Sequence, residues 1–139
     1  DFIASGELIG CSGDGVIRSA ARSDLAEAAA RMLASTNQTP NQLFELAGDS
    51  AFTMAELAQI ISEVSGVNVV YRDLSQSEYA RWLEVRGVPA KLAHLSAEVE
   101  ASAKEGWLNT PSRDLSKILG RPTISMRTLV ERAVAEIDS

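Results

Sequence analysis

Apolar residues recur along this chain at two spacings, and the change from one to the other sketches a mixed α/β protein. Two short apolar runs, at positions 8–9 and 16–17, flank the glycine-rich stretch from Gly10 to Gly15. Asp14-Gly15 suits the positive φ angles of a tight reversal, so the segment predicts a β-hairpin whose second arm continues to about Ala21. From Asp24 the period becomes helical, with Leu25, Ala28, Ala29, Met32 and Leu33 on one face and Asp24 placed to cap the first turn. After a polar loop at 35–42, residues 43–47 read as a strand ended by Gly48-Asp49-Ser50. Strands at 16–21 and 43–47 are expected to be neighbours or near-neighbours in one sheet, with the helix on its face.

The second half reads as helix after helix. Thr53…Glu56 and Ser75…Glu78 are capping boxes, in which the hydroxyl and the carboxylate satisfy each other's free backbone N–H groups. The first opens a helix with Met54, Leu57, Ile61 and Val64 inward, stopped by Gly66. Val67, Val69 and Tyr71 alternate as a short strand. The second box opens a helix with Tyr79, Trp82 and Leu83 inward, and Trp82 is expected to sit in the core against the helices starting near Ser75, Pro89 and Ser125. Pro89 suits the start of a further helix to about Lys104, with Leu92, Leu95, Val99 and Ala103 inward. Thr110-Pro111 reads as a cap and first position, with Leu115, Ile118 and Leu119 as the stripe and Gly120 as the stop. A last helix from Ser125 would bury Leu129, Val130, Ala133, Val134 and Ile137.

Composition narrows the class. The 139 residues carry a net charge of −6, and no two of the 13 Lys and Arg residues are adjacent. A surface that displaces counterions from phosphates needs clustered cations, so nucleic acid and anionic membranes are poor partners. No run of 18 apolar residues offers a membrane span. Residues 1–10 contain acids and no basic region, unlike a signal peptide. One cysteine, Cys11, excludes an internal disulfide and suits a reducing, cytoplasmic setting.

The chemistry-bearing residues are sparse. Gly10 to Gly15 lies between predicted strands, not between a strand and a helix, so it reads as a turn and not as a dinucleotide-binding fingerprint. His94, the single histidine, falls mid-helix, where a surface or satisfied core role is the simpler account. Cys11, with no cation near it in sequence, reads as a small buried thiol. No metal-spaced His/Cys set and no catalytic triad can be assembled. Two residues are candidate substrate contacts. Trp107 follows Gly106 at a helix end, where a loop aromatic either lines a pocket or packs beneath the loop. Arg22 sits where a strand meets a helix, a position that faces ligands in α/β folds, with a surface ion pair to Asp24 or Glu27 as the competing account.

Four stretches carry a resemblance. Residues 13–30 (GDGVIRSAARSDLAEAAA), 44–53 (FELAGDSAFT), 71–75 (YRDLS) and 112–123 (SRDLSKILGRPT) resemble the NmrA-like atypical short-chain dehydrogenase/reductases, most of all the NAD(P)H:quinone oxidoreductase type 2 subgroup. The resemblance implies the C-terminal part of a Rossmann-like doubly wound sheet in residues 1–52 and a small helix-rich substrate lobe in 53–139. It implies a substrate-side part of a quinone reductase, with NAD(P)H held in a parent protein by an N-terminal half, and no cofactor or catalytic residue carried here. It also implies that a chain cut from that half self-associates along the strand at 16–21 or its flanking helix. A part of a non-catalytic redox-sensing regulator and a stand-alone interaction module are the alternatives.

Overall fold

The computed structural model describes residues 2–35 and 41–137. A one-turn helix α1 (Phe2–Ser5) leads into β1 (Glu7–Gly10), followed by α2 (Arg22–Ala34), α3 (Met54–Ser65), β2 (Val70–Asp73), α4 (Gln76–Val85), α5 (Ala90–Ala101), a 3-10 turn at Ser102–Glu105, α6 (Asp114–Leu119) and α7 (Met126–Ile137). The fold is α/β, with the helices arranged around a two-stranded parallel sheet.

Both capping boxes form. Thr53 Oγ1 accepts the Glu56 N–H while Glu56 Oε2 accepts the Thr53 N–H at 2.7 Å, and Ser75 and Glu78 repeat the exchange. Gly66 and Gly120 end their helices in the left-handed region, at φ +72 and +65. Ser125 caps α7 through the Thr128 N–H.

The sheet differs from the expected hairpin. β1 pairs with β2 in parallel, Glu7 opposite Val70 through Gly10 opposite Asp73, across a connection that contains α2 and α3. The turn at residues 12–15 does close, with the Gly15 N–H donating to Ser12 O at 2.9 Å. It then sends the chain away from β1. Neither 16–21 nor 43–47 is a strand. The first segment bonds instead to residues just beyond the second: Ile17 bridges Phe52, and the Gly48 N–H donates to Arg18 O. Other groups claim the remaining donors: Arg18 N–H goes to Leu108 O, and the Asp49 N–H to Thr123 Oγ1. A ladder cannot grow where its rungs are spoken for.

The described core has three clusters. Leu8 and Val69 pack with Ala58, Ile61 and Val130 where α3 and α7 cover one face of the sheet. Ala28, Leu115 and Leu119 join α2 to α6. Cys11, Ala80 and Ala97 join the glycine-rich turn to α4 and α5. This last cluster inverts the expected face of α5. Ala93 and Ala97 are buried, whereas Leu92, Leu95 and Val99 are about half exposed; Ala103, in the 3-10 turn, is buried as expected. Small residues let α4 and α5 approach closely, and the large ones are left on the far side. On α2, likewise, Ala28 is buried and Leu33 is exposed. Helix α6 begins at Asp114, not at Pro111, with Ser112 Oγ accepting the Asp114 N–H. On α7, Val130 is buried while Ala133 and Ile137 are exposed.

Candidate functional site

The glycine-rich turn is built into the scaffold by its own neighbours. The Cys11 N–H donates to Glu100 Oε1 at 3.0 Å, the Ser12 N–H to Tyr71 Oη at 3.0 Å, and the Gly13 N–H to Asp73 Oδ1 at 2.7 Å. Lys104 Nζ reaches Asp73 Oδ2 at 3.2 Å, and the Tyr71 hydroxyl donates to Asp73 Oδ1 at 2.9 Å. A Cβ at Gly15 would come within 2.5 Å of the Ala103 carbonyl carbon, so this position requires glycine for close approach to the 3-10 turn. These N–H groups are committed to side chains and are not displayed as an anion cradle.

Titration behaviour follows from that packing. Burial, aided by the Glu100 carboxylate, pushes the Cys11 thiol up to about 11, and its Sγ lies 3.4 Å from Ala97 O. Such a thiol is a small core hydrophobe, not a nucleophile at neutral pH. Burial likewise pushes the Tyr71 phenol up to about 12. Burial works against ionisation of Asp73, but the Gly13 N–H, Tyr71 and Lys104 outweigh it and hold the carboxyl below its ordinary range.

A second polar network joins two of the resembling stretches. Asp49 and Thr123 exchange bonds, the Asp49 N–H to Thr123 Oγ1 and the Thr123 N–H to Asp49 Oδ2, both 2.9 Å. Arg113 Nε faces the buried Asp49 Oδ1 at 3.3 Å, an ion-pair contact without hydrogen-bond alignment. Arg18 Nη1 donates to Asp49 O. Asp24 is not the cap of α2. It is fully buried in the first turn, accepting from Arg121 Nη2 at 2.8 Å and the Ile124 N–H at 2.7 Å. The shared sequence stretches therefore hold elements together.

Of the two candidate contacts, Trp107 is 75% exposed and lines an open depression of about 470 Å³ with Gln76, Leu95, Val99 and Ser102. Its indole N–H donates to Glu105 Oε2 at 3.0 Å, which fixes the ring at the rim. Glu98 and Glu105 complete the wall. Arg22 is exposed at the first position of α2, and the cation on Asp24 and Glu27 is Arg121, with Arg31 also on Glu27. The structure does not bring Arg22 into the Trp107 depression. A second depression of about 460 Å³, which sequence reasoning missed, lies on the open face of the sheet. Glu7, Ile9, Arg72 and Leu74 line it with Trp82 and Arg86. Trp82 is thus not a core residue. It stacks on Tyr79 at 5.8 Å, carries the Arg86 guanidinium 3.7 Å above its ring, and packs beside the sheet, not against α7. The i, i+4 pair Trp82/Arg86 was the available signal. His94 is exposed and 3.3 Å from Glu84. Among the described residues, no group of three His, Cys, Asp or Glu could hold a metal ion, and no helix is long and apolar enough to cross a membrane.

The chain is 40% identical to quinone oxidoreductase 2 of Escherichia coli over 121 residues, 87% of this chain and 42% of that protein. It superposes on the crystal structure of the NADPH-dependent quinone oxidoreductase of E. coli with a TM-score of 0.89, at 36% identity over 99% of this chain and 48% of that one. The chain is homologous to the NmrA-like, NAD(P)-binding oxidoreductases. A triphenylmethane reductase of Citrobacter, solved with NADP(H), matches at a TM-score of 0.87 and 32% identity over 95% of this chain and 46% of that one. The chain spans less than half the length of these relatives. No family model matches it.

Proposed function

We propose that this chain is the substrate-side part of an NAD(P)H-dependent reductase of quinone-like acceptors, working with a dinucleotide-binding half supplied by the rest of a longer protein. The observation that carries this reading is the superposition on an NADPH-dependent quinone oxidoreductase over 99% of the chain, by a chain less than half as long. The committed N–H groups of residues 11–13 support it, because they leave the pyrophosphate to be held elsewhere. NAD(P)H, when bound, supplies the hydride, and one proton from solvent completes reduction of the quinone to the hydroquinone.

This chain's own contribution is binding and orientation. Leu95, Val99 and Trp107 offer a flat apolar wall, and the rim carboxylates Glu98 and Glu105 suit a neutral ring better than an anion. Residues 53–139 thereby act as the substrate lobe.

Two measurements test the reading. Calorimetric titration of the chain alone with NADPH is expected to show no binding, and micromolar affinity would overturn the division of labour. In the protein that joins this chain to a dinucleotide-binding half, Trp107→Ala should raise KM for benzoquinone about tenfold, on the order of 1.4 kcal/mol of lost binding, with kcat changed less than about twofold. An unchanged KM would remove Trp107 from the site.

A further inference from the structure

The Trp107 depression draws its lining from separate segments. Gln76 is the first residue of α4, Leu95 and Val99 belong to α5, and Glu105 and Trp107 lie in and just after the 3-10 turn. Helices α4 and α5 are packed through Ala80 and Ala97, whereas the 3-10 turn lies beyond the end of α5. Asp73 ends β2 shortly before Gln76, and Lys104 directly precedes Glu105. Lys104 Nζ reaches Asp73 Oδ2 at 3.2 Å, so one ion pair links the two segments. The other carboxylate oxygen, Oδ1, accepts from the Gly13 N–H at 2.7 Å and from the Tyr71 hydroxyl at 2.9 Å, which restrains the group from swinging away. The Lys104 stem passes over Gly13, where a Cβ would lie 2.8 Å from its Cε. Both ends of this tie are thus held against the glycine-rich turn.

We propose that Asp73 is a positioning residue for this depression: acting through Lys104, it fixes the turn that carries Glu105 and Trp107 relative to the segment that carries Gln76. Folding stability gains little from the pair. Its side chains are 42% and 40% exposed, and ion pairs so wet contribute little. Strand β2 is already paired with β1, and Gly15 already packs against Ala103. What the pair adds is orientation. A 3-10 turn has poorer hydrogen-bond geometry than an α-helix, and the Trp107 N–H reaches Ser102 O at 3.3 Å, a long bond. An anchor at Lys104 removes freedom that this turn would otherwise pass on to the indole. A wall held in place before the ligand arrives need not be ordered on binding. The effect on acceptor binding rests on the reading of this depression as the acceptor site.

The test measures backbone order by nitrogen-15 relaxation in the full chain for Lys104→Met, Asp73→Asn and Lys104→Arg. The first two break the ion pair, while Asp73→Asn keeps an oxygen for the Gly13 N–H. Lys104→Arg preserves the pair and controls for the change of side chain. Order parameters at Glu105 and Trp107 should fall from about 0.85 to below about 0.6 in the first two variants and stay high in the third. Tm should move by less than about 4 °C in all three. In the protein that joins this chain to a dinucleotide-binding half, Lys104→Met should raise KM for benzoquinone about threefold, with kcat little changed. Unchanged order at Trp107 in Lys104→Met would overturn the proposal. So would a loss of order that extends equally through α3 and α7, which would make the pair an ordinary structural contact. A loosened turn with unchanged KM would uphold the tie and instead remove the depression from acceptor binding.

Discussion

Leu115→Ala is expected to cost about 3–5 kcal/mol, the range for emptying a leucine-sized volume in a core that cannot collapse around it. Leu115 is fully buried, and its cluster is built mostly from small or already engaged partners: Ala20 and Ala28 from the α2 side, Leu119 and Ile118 from its own helix, and Leu25 at the edge. Alanines have no atoms with which to refill the gap. The helices cannot easily slide together either, because Arg31 reaches Ile118 O and Arg121 bridges to Asp24 and Glu27. Urea unfolding should show a lower midpoint with an unchanged slope, and Tm should fall by about 10 °C or more. The damage should also reach the site, because α6 anchors the downstream end of the loop that carries Trp107, while Arg18 N–H holds Leu108 O within that loop. In the complete reductase, KM should therefore drift upward at temperatures well below Tm. A loss under about 1.5 kcal/mol would show that α2 and α6 repack freely, and that the Trp107 loop owes its position to something else.

What was legible in the sequence was the local chemistry. Thr53/Glu56 and Ser75/Glu78 bond within four residues, so their geometry is set by spacing alone, and both boxes form. Gly66 and Gly120 were readable for the same reason. The errors arose wherever the outcome depended on a distant partner. The period of α5 allows two faces, and the larger residues Leu92, Leu95 and Val99 promise more buried area. The alanine face won because Cys11 and Ala80, many residues away, require a close approach. The hairpin at 8–17 failed because β1 found its partner more than sixty residues later, in β2. The depression lined by Trp107 was half legible. A loop tryptophan after glycine was a sound signal, but its apolar wall comes from the outward face of α5, which the same error had turned inward. The depression beside Trp82 was hidden because a helical tryptophan ordinarily means core, and the reading of that helix did not take in the Arg86 stacked on it.

Asp24→Ala should cost about 3 kcal/mol, far more than loss of an exposed ion pair and somewhat less than stranding a buried charge. An exposed pair is worth about 0–1 kcal/mol, and breaking a buried one about 3–5. Asp24 itself belongs to the second class, being fully buried, but its partner is intermediate: the Arg121 side chain is 40% exposed and keeps Glu27 at 2.5 Å when Asp24 is removed. The charge on Arg121 is therefore not left alone. What is lost is one charge-assisted bond to Arg121 and one to the Ile124 N–H, which then lies with no acceptor in a part-buried position. The reverse deletion, Arg121→Ala, should be at least as costly, since it leaves a fully buried carboxylate with only the Ile124 N–H. In a double-mutant cycle the pair should fall short of the sum of the single losses, because each single change already empties the same contact. Asp24→Asn should cost less than Asp24→Ala, as the amide oxygen can still accept one of the two bonds. If Asp24→Ala instead costs below about 1 kcal/mol and adds independently to Arg121→Ala, the residue is no clamp between α2 and the 118–124 segment.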